Sequence, residues 1–560
     1  MSASILKQHL EIRGLELVSD QHKHRKVVAS RLLKKGSVVI TSRPLCNPVI
    51  FPTHRSLHCE TCFKSKAQQT GNISSNDIEL ERCSVCKKRY YCSRDCFTVA
   101  WKGWHRWICT DKNKDRTDLD FEMLKMVVMS VERLRNGSYK ESEDAYTLSP
   151  ALAVADFGEM ESEPLALTEY VFSTLMGHEV VTEPTLLAKY KEIATTVREE
   201  LISSKFPFKG RQQQQPDDTK KESLLPSIME LVQYLCRFHC NNFSIHDPQL
   251  FTMAEGTLPI GALFNHSCRP NAIVMYEGKV QLIKALEDIE VGEEVCTSYV
   301  DNGVPREERR QLLREKYFFE CLCPRCGDQQ QQQQQQTAAV QEPKTGFRIL
   351  DDLIEGEQDG PDGKGVNGEW LTKQFDAIII PGARSLQIAG PRLQPPSVMT
   401  RASFTSYIIH SLVPLIQTGA SQQEYTERLF EIYETLQSTP HSEPKPFTTT
   451  VMTNATSFFN TCLEHQSWAL ASKIGTFILA LYLMIYPRHH PLVGLHCFTL
   501  AKSLWNDVEG GMTSVRLSHE MLKLARNILQ VSHGVKSSGN AALVMEVMAF
   551  MKTVEKELDS

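Results

Sequence analysis

The sequence predicts a multi-domain α+β protein, and three observations carry that prediction. Short apolar runs of strand length, broken by charged turns, occupy two separated stretches, 8–58 and 236–300. Most of the 17 cysteines fall in two clusters, 59–109 and 268–326. From about 395 to 560, apolar residues recur at helical spacing between clear turn signals.

Composition bounds the rest. A chain of 560 residues has room for about three or four domains. It is 41% hydrophobic and 23% charged, as soluble globular proteins are, and its net charge of −5 gives no whole-protein attraction to nucleic acid. The opening MSASILKQHLEIRGLEL does not read as a signal peptide, because Lys7, Glu11 and Arg13 interrupt any apolar segment. The run IGTFILALYLMIY (474–486) is shorter than the ~18–20 residues a bilayer crossing needs, so a buried helix and no membrane partner are expected. Clustered Cys-x-x-Cys pairs without a secretory signal favour zinc over disulfides and place the chain in the cytoplasm or nucleus.

Taken in order, VVAS (27–30) and SVVIT (37–41) flank KKG (34–36) and read as a hairpin. Residues 118–235 read as mainly helical, in LDFEMLKMVVMSVERL (119–134), TLLAKYKEIATTVREEL (185–201) and SLLPSIMELVQYLCRF (223–238), with a polar insertion at 208–223. Strands return at 236–300: AIVMYEGKVQLIKAL (272–286) as a hairpin turning at Glu277–Gly278, then VGEEVCTSYV (291–300) as a turn and a further strand. An Arg/Glu-rich helix follows at 301–320. A glutamine tract (329–336) and a Gly/Asp-rich patch (356–369) read as linker or surface loop, since neither buries enough apolar area to offset ordering entropy. The tail predicts helices at 449–465, 467–486, 491–507, 513–532 and 540–557, either a tetratricopeptide-like array or a generic bundle.

The first cysteine cluster offers Cys59, Cys62, Cys83, Cys86, Cys92, Cys96, His105 and Cys109. These donors suffice for two tetrahedral ions, one with four thiolates and one with three thiolates and an imidazole, alternate pairs sharing a metal. With Tyr90, Tyr91 and Trp104 the pattern resembles a MYND zinc finger, although the gap from Cys62 to Cys83 is long for that family and one extra residue lies between Cys96 and His105. Every position on each ion is filled by protein, so the role is structural. Residues 83–109 carry six Lys/Arg against one Asp. That is either a peptide- or nucleic-acid-binding surface or a solvated face. The resemblance points to peptide partners and leaves nucleic acid the weaker alternative.

Downstream, GALFNHSCRPNA (261–272), GEEVCTSYV (292–300) and YFFECLCPRC (317–326) occur in an order that resembles the two signatures of a SET domain and its post-SET zinc segment. With the finger and the helical tail, the whole chain resembles the SET-and-MYND (SMYD) family of protein-lysine methyltransferases. The resemblance implies a β-rich SET core split by the finger and a helical insert. The expected domains are 8–58 (SET, N-terminal part), 59–109 (MYND), 110–235 (helical insert), 236–300 (SET core), 301–328 (post-SET), 329–394 (linker) and 395–560 (TPR-like tail). It implies transfer of the methyl group of S-adenosylmethionine (SAM) to a lysine of a protein or peptide, histone or other, by a monomer carrying three structural zinc ions. Asn265 is implied to hydrogen-bond the donor's methionine end, His266 to hold its adenine side and the backbone, and Asn241 to make a further cofactor contact. Cys268 is implied to complete a third quartet with Cys321, Cys323 and Cys326. Tyr299 is the implied key catalytic residue, converging with Asn265 on one pocket, and Tyr317 and Phe319 line the lysine channel and stack near the cofactor.

One stretch departs from the family. Its N-terminal cofactor loop reads Lys-Gly-Arg/Asn-Gly, and here the aligned residues are Lys23, His24, Arg25 and Lys26. The two basic positions expected to meet the donor's carboxylate are kept as Lys23 and Arg25, but both glycines are gone. Glycine admits positive φ at no steric cost, so weaker cofactor binding or a reshaped loop is expected. The competing reading is a non-catalytic adapter that binds proteins through its finger and tail.

Overall fold

The computed structural model describes residues 2–21, 23–65, 79–109, 119–135, 164–179, 182–204, 222, 224–323, 325–326, 449–487, 489–534 and 541–559. The glutamine tract, the Gly/Asp-rich patch, nearly all of the 208–223 insertion and the stretch 395–448 lie outside them. The described residues form two compact units, one within 1–265 and 274–295, the other within 266–273, 296–535 and 541–560. The architecture is mixed α and β, as expected.

The first unit opens on a helix that the sequence reading missed, α1 (Ser2–Glu11), which buries Leu6 and Leu10 one turn apart. Strands β1 (Leu15–Asp20) and β2 (His24–Ala29) form an antiparallel pair in register from Leu15↔Ala29 to Asp20↔His24. The predicted hairpin across Lys34–Gly36 does not form. β3 (Val38–Ser42) instead pairs with β10 (Val280–Ala285), so the turn at Gly36 joins strands of different sheets. Both runs are apolar because each is buried on its own partner, and apolar content reports burial rather than pairing. A third sheet orders β4 (Val49–Ile50), β8 (Thr252–Thr257) and β7 (Asn242–His246) over a core of Ile50, Phe63, Ile245, Met253, Ala254 and Leu258.

The cysteine-rich insert contributes the short pair β5 (Glu81–Arg82) and β6 (Tyr90–Tyr91), the helix α2 (Arg94–Ala100) and helical turns at Trp101–His105 and Arg106–Ile108. Helices α3 (Leu119–Arg135), α4 (Leu165–Thr174), α5 (Pro184–Ser203) and α6 (Ile228–Asn241) follow. α6 starts at Ile228 rather than near 223, because Pro226 precedes it and Ser227 and Glu230 close a reciprocal capping box. It also runs to Asn241, beyond the boundary expected at 235. A buried ionic network ties the insert to α3. Arg89 pairs with Glu60 and, at 2.7 Å, with Glu122, which also takes Arg55 at 3.0 Å. Such charges are tolerable out of water only because each is paired.

β9 (Ala272–Glu277) neighbours β10 in its sheet. Gly278 between them sits at φ +60, its Cα turned so close to the Cys62 carbonyl that a Cβ would lie 3.0 Å from that oxygen. The predicted strand at 291–300 is not regular. Within it Glu294 bridges Val28, and Thr297 bridges His266, as isolated pairs.

The second unit holds α7 (Arg306–Tyr317) and five tail helices: α8 (Thr449–Glu464), α9 (Trp468–Ile485), α10 (Pro491–Trp505), α11 (Gly511–His533) and α12 (Ala541–Asp559). Their bounds match the periodic pattern to within two residues. The last four share one apolar core including Leu479, Val493, Cys497, Leu522, Leu529 and Val547, while α8 packs Phe459 and Cys462 against Ala471 and Ile478 of α9 in a smaller cluster. Among the described residues no helix is long and apolar enough to cross a membrane.

Candidate active site and metal centres

Three clusters of cysteine and histidine are assembled by these elements. Cys59, Cys62, Cys92 and Cys96 form one, Cys83, Cys86, His105 and Cys109 a second, and Cys268, Cys321, Cys323 and Cys326 a third; within each, the ligand atoms lie within 4.8 Å of one another. The first two show the alternate pairing expected from the spacing. A tetrahedral zinc ion with thiolates at ~2.3 Å requires sulfur–sulfur edges of about 3.8 Å. Cys62–Cys92 is 3.5 Å, Cys92–Cys96 3.6 Å, Cys83–Cys109 3.7 Å and Cys268–Cys321 3.9 Å. Those separations are far beyond a disulfide bond. Cys86 Sγ and His105 Nε2 stand 3.8 Å apart. Burial, aided by the nearby Arg89 guanidinium, lowers the His105 pKa to about 3, which keeps the imidazole in its ligating neutral form. All three clusters therefore could hold a zinc ion.

The third cluster is the base of an aromatic group. The His266 ring lies 5.3 Å from Tyr299 and 6.1 Å from Phe319, and the Tyr299 ring 4.9 Å from Tyr317. These rings pack with Leu313 on Cys268, Cys321 and Cys326. Local chain geometry puts them there. Phe318, at φ +60, caps α7 in the left-handed conformation and turns the chain between Tyr317 and Phe319, so that both meet Tyr299. His266 accepts the Tyr299 backbone N–H on Nδ1 at 2.9 Å, and its Nε2 stands 3.2 Å from Cys268 Sγ. Both ring nitrogens are thus used inside the protein.

A second group gathers around Asn265. Its Nδ2 donates to the Arg25 carbonyl at 2.7 Å and to Glu294 Oε1 at 2.8 Å, while the Lys23 ammonium pairs with Glu294 Oε2 at 2.6 Å. Both acceptors demand the amide nitrogen on that side, so Oδ1 is the face left for a ligand. The Glu294 carboxylate thus rests between Lys23 and Asn265. Asn241, at the end of α6, donates its amide to the Met176 and Arg237 carbonyls.

Sequence reading missed Glu294. One acid in a charged turn carries no spacing signal. Its meaning comes from register, since Val295 N donates to Val27 O and Ala29 N to Glu293 O, laying 293–295 along β2.

The departure in the loop has a backbone consequence at one position only. His24 sits at φ +63, where the family has glycine, whereas Lys26 lies in strand β2 opposite Val18. Replacing His24 by Gly should relieve left-handed strain and raise stability by up to about 1 kcal/mol. The urea midpoint should rise at unchanged slope, and a fall would show that the loop holds His24 without strain.

Residues 24–300 match the SET domain family. The histone-lysine N-methyltransferase ASHR1 of Arabidopsis thaliana is 22% identical over 534 residues, 95% of this chain and 94% of that protein. The human histone-lysine N-methyltransferase SMYD3 is 28% identical over 297 residues, 53% of this chain and 58% of that protein. The N-lysine methyltransferase SMYD2 of Gallus gallus is 27% identical over 325 residues, 56% of this chain and 60% of that protein. The matches to the SMYD2 and SMYD3 proteins thus span about 60% of those relatives' length.

Proposed function

We take as premise that this chain belongs to the SET/SMYD group of protein-lysine methyltransferases, and we propose that it transfers the methyl group of SAM to lysine side chains of proteins, histone or non-histone. The observation that carries the proposal is the ring cluster of His266, Tyr299, Tyr317 and Phe319 on the Cys268 quartet. Bound SAM supplies an electrophilic methyl group on a sulfonium. Tyr299 places a phenol oxygen where positive charge moves during transfer. Its backbone is fixed by His266 and its ring by Tyr317. Tyr317 and Phe319 form an aromatic wall that strips water from an entering lysine, lowers its pKa and exposes the nitrogen lone pair. Lys23 and Asn265 hold the donor's amino-acid end, Lys23 by charge and Asn265 by its free oxygen, with Arg25, His266, Asn241 and Phe319 completing the cofactor contacts.

The three clusters hold structural zinc. The one formed from Cys268 and the 321–326 segment fixes the aromatic wall. The insert at 59–109 acts as a MYND finger for peptide partners, and the tail as a TPR-like array, within the domain bounds given above. The protein works as a monomer in the cytoplasm or nucleus.

A second reading, the adapter, draws on two observations: His24 occupies a glycine conformation, and Glu294 already holds Lys23. Calorimetric titration of zinc-loaded protein with SAM separates the two. Single-site uptake, with labelled methyl appearing on lysine in a peptide array, is the expected result. No uptake and no transfer would leave the adapter.

A further inference from the structure

Tyr486 immediately follows α9, and its hydroxyl donates to Asp301 Oδ1 at 2.9 Å. The same carboxylate oxygen accepts the Gly303 backbone N–H at 2.8 Å. Asp301 lies two residues beyond Tyr299, in a loop bound from several sides. The Ser298 hydroxyl is 2.7 Å from the Val300 carbonyl, and Arg325 donates to the Asn302 carbonyl at 2.9 Å. Tyr486 is itself held firmly. It is 8% exposed, belongs to the core of the tail helices, and packs edge-on against Tyr482 at 5.4 Å and against His490 at 4.9 Å. Burial, reinforced by the Asp301 charge, drives its phenol pKa upward, so it stays a donor. The helical core of the tail therefore reaches the loop of the candidate catalytic tyrosine through the Tyr486 hydroxyl.

We propose that Tyr486 is a positioning residue for methyl transfer: its hydrogen bond to Asp301 anchors the 298–303 loop and thereby sets the place of the Tyr299 phenol. The proposal rests on the assignment of Tyr299 to the reaction. On this view the tail helices belong to the active centre as an abutment. The chemistry is simple. A carboxylate that accepts two donors has its orientation determined; with one donor it rotates, and the backbone from 299 to 303 gains freedom. Transfer needs the phenol, the sulfonium and the amine aligned to within a fraction of an ångström, so a loosened loop slows turnover without touching the cofactor's own contacts.

The test uses the zinc-loaded full chain as wild type, Tyr486→Phe, Asp301→Asn and the double variant. The phenylalanine keeps the ring and its packing and removes only the donor. Turnover on a lysine-peptide array at saturating SAM should fall about tenfold in Tyr486→Phe, with SAM affinity within about twofold of wild type. The double variant should be no slower than the slower single one, because both remove the same bond. Independently of activity, amides of 299–303 should exchange with solvent about tenfold faster in Tyr486→Phe, while those of α9 keep their wild-type rates. Unchanged exchange at 299–303, or additive losses in the double variant, would overturn the anchor. A wild-type protein that transfers no methyl group would instead sink the methyl-transfer reading, and the positioning proposal with it. The exchange result would still show whether the Tyr486 bond holds the loop, so the two failures remain distinct.

Discussion

Tyr299→Phe is expected to lower the rate of lysine methylation by about 10²–10³, the usual cost of deleting one preorganised polar group from a site of charge movement. The substitution keeps the ring, and the ring is what Tyr317 and His266 pack against, at 4.9 and 5.3 Å. The backbone N–H that binds His266 Nδ1 is likewise untouched. Folding, metal content and SAM affinity should therefore stay near wild type, and the loss should appear in kcat at saturating substrate. That split distinguishes a group acting in the transition state from one that binds the ground state. Wild-type turnover in the variant would remove Tyr299 from the chemistry and shift attention to the Tyr317 hydroxyl, 3.5 Å from the Tyr299 carbonyl.

Cys268→Ala is the second large effect. Metal analysis should give three zinc ions for the wild type and two for the variant, since the two clusters of the 59–109 insert share no side chain with the third. An ion there would cross-link Cys268 to the segment after α7. Without it, Leu313, Tyr317 and Phe319 lose the packed sulfur cluster beneath them. Structural zinc contributes its binding energy to folding, about 10–16 kcal/mol in isolated fingers, so much of the order in 318–326 should go with it. Activity should fall to background, with two zinc ions still measured per chain. Two ions in both proteins would show that the third quartet is not a zinc site, and three in the variant that Cys268 is not a required ligand.

Much of this site could be read directly from the chain. Cys-x-x-Cys spacing is set by the span of a tight turn, so the grouping of the insert's eight Cys and His donors into two clusters of alternating pairs was legible in the sequence. The tail helices were equally plain, because a 3.6-residue apolar period over 15 to 23 residues has no other reading. Short strands were harder. The apolar runs at 27–30 and 37–41 announce burial, but their partners lie elsewhere, β1 on one side and β10 more than two hundred residues away.

What the sequence by itself determined is the kind of donors present and their order: seven cysteines and a histidine with metal-ligand spacing in one insert, an amide, an imidazole and a thiol close together, a tyrosine after a charged turn. Local covalent geometry suffices for that, since each motif closes over a few residues. What only the tertiary structure decided is which group faces which. Glu294 lies between Lys23 and Asn265 because its strand segment runs along β2, and Tyr486 meets Asp301 across 185 residues because a helical core places it there. Those contacts depend on long-range packing, where burial and hydrogen-bond satisfaction choose a partner that no spacing along the chain encodes.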